Sequence, residues 1–146
     1  MLSDVLALWR GKIGDRVVPA RDDFDPLEIP VQKLPHIALI DVLADATINF
    51  RYRLIGTHIS ETLGYDATGK IVGELLSQDN YDDFTAGYLW VVANRRPMRS
   101  NGSAVLVNKA WVMYESVILP LSRDNATVNM LMIPTIFTQA SEPEVT

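Results

Sequence analysis

Phe50-Arg51-Tyr52-Arg53-Leu54-Ile55-Gly56-Thr57-His58-Ile59-Ser60-Glu61-Thr62-Leu63-Gly64 alternates apolar and charged residues as far as Ile55 and changes to helical spacing after Gly56-Thr57. Alternation puts Phe50, Tyr52 and Leu54 on one face and Arg51, Arg53 and Ile55 on the other. The stretch therefore reads as a strand at a sheet edge, with one apolar face and one mainly wet face. A short helix follows and Gly64 ends it. A strand feeding a short helix, with further short helices and then three strands, is the layout of a small α+β domain.

Upstream, His36 to Val42 is apolar on both alternating sets, Ile37 and Leu39 against Ala38, Ile40 and Val42. A strand that is apolar on both sides must be covered on both sides, which predicts a central strand. Before it, prolines 19, 26, 30 and 35 break any long element, and Asp25-Pro26-Leu27-Glu28 suits one helical turn. At the amino terminus Leu2, Val5, Leu6 and Trp9 recur at three and four residue spacing, so a short amphipathic helix is expected there, with Gly11 just past its end.

Downstream, a second short helix is expected from Gly69 to Leu76, preceded by Thr68, and the longest from Asn80 to Arg95. Asp79 is its cap candidate, Asp82 and Asp83 suit the positive end of its dipole, and Arg95 and Arg96 suit the negative end. At 100° per residue Tyr81, Phe84, Tyr88, Val91 and Val92 share one side, while Asp83, Gly87, Trp90 and Asn94 fall on the other. After Pro97 three strands are expected, Ala104 to Val107, Trp111 to Leu121 and Val128 to Phe137. Asn108-Lys109 and Ser122 to Ala126 would be their hairpin loops. The last strand is apolar on both faces and belongs in the sheet interior, and its Pro134 implies a bulge or an end of pairing. Residues 1–138 form one domain on this reading, and 139–146 a loose tail.

At 146 residues, 48% of them hydrophobic, the chain can bury one ordinary core. A formal charge of -5 argues against nucleic acid as a partner, and the absence of cysteine excludes disulfides, thiolate metal sites, thiol nucleophiles and cysteine-linked chromophores. No signal peptide and no apolar run of bilayer-spanning length is present, so a cytoplasmic, soluble protein is expected.

The element order, with Pro19-Ala20-Arg21, Leu34-Pro35-His36-Ile37, Asp41-Val42, Phe50 to Thr57, Thr68-Gly69-Lys70 and Leu119-Pro120-Leu121, resembles the PAS domain superfamily, and within it the bacterial subfamily of short, often stand-alone PAS proteins. The resemblance spans roughly Leu6 to Phe137. It implies an α+β fold: a five-stranded antiparallel sheet with its first and last strands central, helices over one face and a ligand cavity between. The amino-terminal helix would then cover the other face. It also implies a sensory or protein-interaction module in signalling, able to dimerise, with no catalytic motif to carry over.

Helical and strand facing nominate Tyr52, Leu54, Tyr81, Phe84, Tyr88 and Tyr114 as the lining of a small-molecule site. Haem would need an axial ligand, and only His36 and His58 are on offer; both read as structural side chains, without the carboxylate partner a metal site would need. No metal and no cofactor is therefore expected. Asp22-Asp23-Asp25 and Asp79-Asp82-Asp83 are explained by caps and helix dipoles, and Arg95-Arg96-Arg99 by a solvated helix end. Glu115 is the lone charge midway along its strand, a structural pair if it meets Arg21 or Arg53. Leu2, Val5, Leu6, Leu8 and Trp9 offer more apolar girth than one packing face needs, and Trp90 stands on the polar side of the long helix. A homodimer is therefore expected, with Leu2, Val5, Leu6, Trp9 and Trp90 at its interface. The function expected is non-enzymatic sensing, through a small-molecule ligand or a signalling partner protein. The alternatives are an interaction-only module whose cavity is filled by its own Met, Tyr and Phe side chains, and a cone-shaped α+β isomerase or lyase.

Overall fold

In the computed structural model, which describes residues 1–24, 29–44, 47–104 and 112–139, the two strands apolar on both alternating sets lie side by side. They are β1 (Ile37–Ala44) and β5 (Met130–Gln139), antiparallel, with Ala38 opposite Ile133 and Ile40 opposite Leu131. With β2 (Ile48–Ile55), β3 (Met98–Ser103) and β4 (Val112–Leu121) they form one five-stranded antiparallel sheet in the order β2-β1-β5-β4-β3. The helices are α1 (Leu2–Gly11), α2 (Thr57–Leu63), α3 (Val72–Leu75) and α4 (Gln78–Asn94).

Each face of β1 and β5 has its own cover. On one side Leu2, Val5 and Trp9 of α1, with Val18 and Phe24, pack against Leu39, Val117, Leu119, Met130 and Met132. The Trp9 indole N–H donates to the Pro120 carbonyl at 2.8 Å, so the ring is fixed as well as buried. On the other side Ile59, Val72, Tyr88 and Val91 meet Ala38, Ile40, Phe50, Ile118, Leu131 and Ile133. Strand β2 is an edge strand as expected, yet its outer rim is partly paired: Tyr52 N–H donates to Lys70 O at 3.0 Å and Gly69 N–H to Tyr52 O at 2.7 Å.

Four local readings are corrected. Leu39 pairs with Leu54 but Ile40 with Tyr52, so Arg53 is the extra residue of a bulge and the alternation of β2 reverses beyond it. Ile55 turns into the core and Leu54 is left 53% exposed. The helix expected over Gly69 to Leu76 is only Val72–Leu75, because Gly69 adopts φ +85° in the turn that pairs with Tyr52. Helix α4 is capped by Ser77, whose hydroxyl accepts from Asn80 N–H at 3.4 Å, and not by Asp79. Its carboxyl end is Arg95 in the left-handed region, φ 56°. The strand after Pro97 is Met98–Ser103, whose side chains are at most half-buried and so gave no apolar signal. Residues 105–107, the Asn108-Lys109 turn, Asp25 to Glu28 and the tail beyond 139 lie outside the described residues.

At Pro134 the two partners of β5 behave differently. Pairing with β1 ends there, opposite Ile37. Against β4 the register is the same before and after, Ser116 with Thr135 and Leu119 with Met132, and only the ladder between them lapses, as the missing N–H requires. Gly56, where β2 passes into α2, donates to Ile37 O at 2.9 Å, and a Cβ there would sit 2.2 Å from Pro35 O. The close crossing of these two chains fixes where α2 starts.

Candidate functional site

Between the sheet and the pair α2 and α4 lies a cavity of about 100 Å³. Its sheet floor is a polar row: Ser100 of β3 is opposite Ser116 of β4, which is opposite Thr135 of β5, and all three line the cavity. Ser116 and Thr135 are buried. Around that row stand Tyr52 of β2, Tyr114 of β4 and Phe137 of β5, while α4 contributes Phe84, Gly87 and Tyr88 and α2 contributes Ile59 and Leu63.

Tyr88 is held edge-on between two rings, Phe50 at 5.3 Å and Phe84 at 5.4 Å between centroids. Burial, with Tyr52 and Tyr114 nearby, pushes its phenol well above the ordinary value; burial and then Tyr65 do the same to Tyr52. Both hydroxyls therefore stay neutral through the physiological range and can donate or accept. Tyr114 and Ser100 bond to each other at 2.9 Å, and Thr135 Oγ1 reaches Ile133 O at 3.5 Å. Among the described residues, the hydroxyls of Tyr52, Tyr88 and Ser116 make no hydrogen bond within the protein. Among the described residues Asp83 is the one carboxylate in the lining, exposed on α4 at the mouth, and no Lys, Arg or His joins it.

Of the residues nominated from the sequence, Tyr52, Phe84, Tyr88 and Tyr114 line this cavity. Leu54 does not, because the bulge at Arg53 turns it to solvent. Tyr81 lies beside the cavity, its hydroxyl 3.4 Å from Asn49 Oδ1. Gly87 and Asp83 were placed on the solvent side of α4 and instead belong to the site. Gly87 faces the sheet so closely that a Cβ would come within 3.1 Å of Ile118 Cδ1 and Met98 Sδ. Sequence reading missed the hydroxyl row, whose signal was a small polar residue, Ser116 or Thr135, inside a strand otherwise apolar on both faces.

The interface nominations divide. Leu2, Val5 and Trp9 are inside the core, Trp9 only 3% exposed, so they are not free to meet a partner; the sheet face uses the apolar girth of α1. Leu6 and Leu8 are half-buried against the same cluster. Trp90 is 41% exposed beside Leu89, and the proline-rich connection does not cover it.

His36 and His58 stack at 4.4 Å, tilted by 47°, and His36 Nδ1 is buried with no hydrogen-bond partner, where a satisfied ring was expected. Burial, followed by the nearby His58, holds the His36 imidazole below its usual value. Glu115 is exposed opposite Asn101 and Ile136, and Arg53 reaches Asp41 at 3.8 Å. Asp23 behaves as a cap, accepting Ala20 N–H at 2.7 Å. Among the described residues there is no group of three or more His, Asp or Glu able to hold a metal ion, and no helix is long and apolar enough to cross a membrane.

A family model described as a PAS domain matches residues 2–145, nearly the whole chain. The sheet order, the helical cover over one face and that match agree: the chain belongs to the PAS domain family. Membership makes it, in general terms, a module of the sensory and regulatory kind, and such domains are generally non-enzymatic. No curated relative and no solved structure matches it.

Proposed function

We propose that this PAS domain senses a small molecule held in the cavity under α4, without catalysing its conversion, and passes the binding event to a partner protein as a population shift of the helices over the sheet. One observation carries this reading: the hydroxyls of Ser116, Tyr52 and Tyr88 line this space without a hydrogen-bond partner among the described residues. Among the described residues only His36 Nδ1 is fully buried without a partner, so these hydroxyls are open to the cavity and can bond to an occupant in place of solvent. Among the described residues, the Asp83 carboxylate of the lining has no second carboxylate, Lys, Arg or His beside it to act as its acid or base partner, which argues for binding without catalysis. The space suits roughly half a dozen non-hydrogen atoms or fewer, given that a 150 Å³ cavity holds benzene.

Native mass spectrometry of the purified protein tests it. A small adduct released on denaturation is expected, lost in the Y52F/Y88F variant, with neither flavin nor haem absorbance in the sample. A bare chain mass would transfer the reading to an interaction-only module. The proposal includes a homodimer through Leu89 and Trp90 of α4, supported by their joint exposure of 40% and 41%. Sedimentation at micromolar concentration is expected to give a dimer for the wild type and a monomer for W90A.

A further inference from the structure

Three features of the cavity lining favour one charge class of ligand. Among the described residues, the only full charge in the lining is the Asp83 carboxylate. The walls carry the rings of Tyr52, Phe84, Tyr88, Tyr114 and Phe137, whose faces present negative potential. The remaining polar groups are hydroxyls, able to accept from an ammonium N–H or to lie against methyl groups without forfeiting a strong partner.

We propose that the ligand is a small organic cation, a methylated or alkyl ammonium. That assignment rests on the cavity being a ligand site at all. An anion would meet Asp83, the ring faces and a chain of net charge -5 together. A neutral alcohol could bond to the hydroxyls and to the carboxylate but would gain no ion–ion attraction from the latter. A cation gains from both, and because Asp83 sits exposed at the mouth, pairing with it does not first require burying the carboxylate. The ring faces then replace the hydration an ammonium gives up on entry.

The probes are tert-butylammonium, tert-butanol as its neutral isostere, and propionate as an anion of the same heavy-atom count, titrated calorimetrically into the full chain at low ionic strength. The tert-butylammonium ion is expected to bind at least about tenfold more tightly than tert-butanol, and propionate not at all. D83N should weaken the tert-butylammonium interaction about three- to tenfold. D82N removes the same charge from the same helix outside the lining, where Asp82 accepts from the Gln78 amide at 3.0 Å, and should leave affinity within about twofold. Equal or tighter binding of tert-butanol or propionate overturns the cation assignment and leaves the ligand site standing. So does an adduct in the native spectrum with none of the three probes bound, or a loss in D82N equal to that in D83N. No probe bound together with a bare native mass overturns the cation and the sensing proposal alike.

Discussion

The two faces of one sheet are built from different residues. The face under α1 is filled by Leu, Met, Val and a single tryptophan, with that ring hydrogen-bonded across to β4. The face under α2 and α4 carries tyrosines and a row of hydroxyls, and keeps about 100 Å³ open. Since β1, β5 and β4 supply both faces, nothing in strand pairing explains the contrast; only the side chains on alternate positions do. A close-packed face has one arrangement, whereas a face with open space would, on the proposed function, have an occupied and an empty state to choose between. The α1 side is thus the support, and the α4 side is where a sensor of this family can respond.

The largest effect that could break this contrast is on the filled face. W9A removes a buried indole and its bond to Pro120, and should cost about 3–5 kcal/mol, a large part of the stability of an ordinary domain. Urea denaturation measures it, and a loss below about 1 kcal/mol would mean that the α1 face is not the packed support described here. For the same reason, deleting residues 1–12 to test dimerisation would expose the core and is no clean probe.

On the open face the expectation is inverted. Y88F deletes a hydroxyl that has no protein partner and leaves both ring contacts intact, so stability should change by less than about 1 kcal/mol while ligand binding is lost. A drop of several kcal/mol would show that the hydroxyl belongs to the packing. G87A sharpens the point: alanine gains about 1 kcal/mol of helix propensity over glycine, offset by contacts at 3.1 Å to Met98 and Ile118, whose side-chain ends can shift. Net stability should stay within about 1 kcal/mol of the wild type and the cavity should shrink, giving weaker binding in the same titration.

How much of this was legible in the sequence follows the same division. The α1 face was readable because it depends on local periodicity: Leu2, Val5 and Trp9 at helical spacing, and Ile37 and Leu39 alternating with Ala38 and Ile40. Gly64 as the end of α2 was readable for the same reason, since a left-handed stop at φ 85° is written at one position. The cavity was half readable. Helical facing found Phe84 and Tyr88, and strand facing found Tyr52 and Tyr114. Leu54 went astray because a bulge is set by how Ile40 pairs across the sheet, which no single strand reveals. Ser100, Ser116 and Thr135 become one row only through the registers of three strands. Gly87 looked solvent-facing because a residue without a side chain carries no hydrophobic signal, yet its bareness is what lets α4 approach Ile118.

The smallest expected effect concerns the seal of the filled face in acid. The loop between β4 and β5 is tied to the segment after α1: Arg16 donates to Ser122 O at 2.6 Å, Ser122 N–H to Pro19 O at 2.8 Å, and Val17 N–H to Asn125 Oδ1 at 2.7 Å. Asp124 organises that loop, its Oδ1 accepting from Thr127 N–H at 2.8 Å, Ala126 N–H at 2.9 Å and the Ser122 hydroxyl at 3.0 Å. Those bonds, the backbone ones first, hold its carboxyl down at about 2 instead of the ordinary 3.8. A carboxylate with a depressed folded value contributes stability that is fully present above 3.8 and is lost as the pH falls towards 2. D124A should therefore melt below the wild type at neutral pH, with the difference shrinking between pH 3.8 and about 2. The hydroxyls of the open face do not titrate in that range, so Y88F should track the wild type throughout. If D124A instead stays equally offset from the wild type at every pH, the loop is held by its neutral bonds and the acid sensitivity of the α1 face must come from elsewhere.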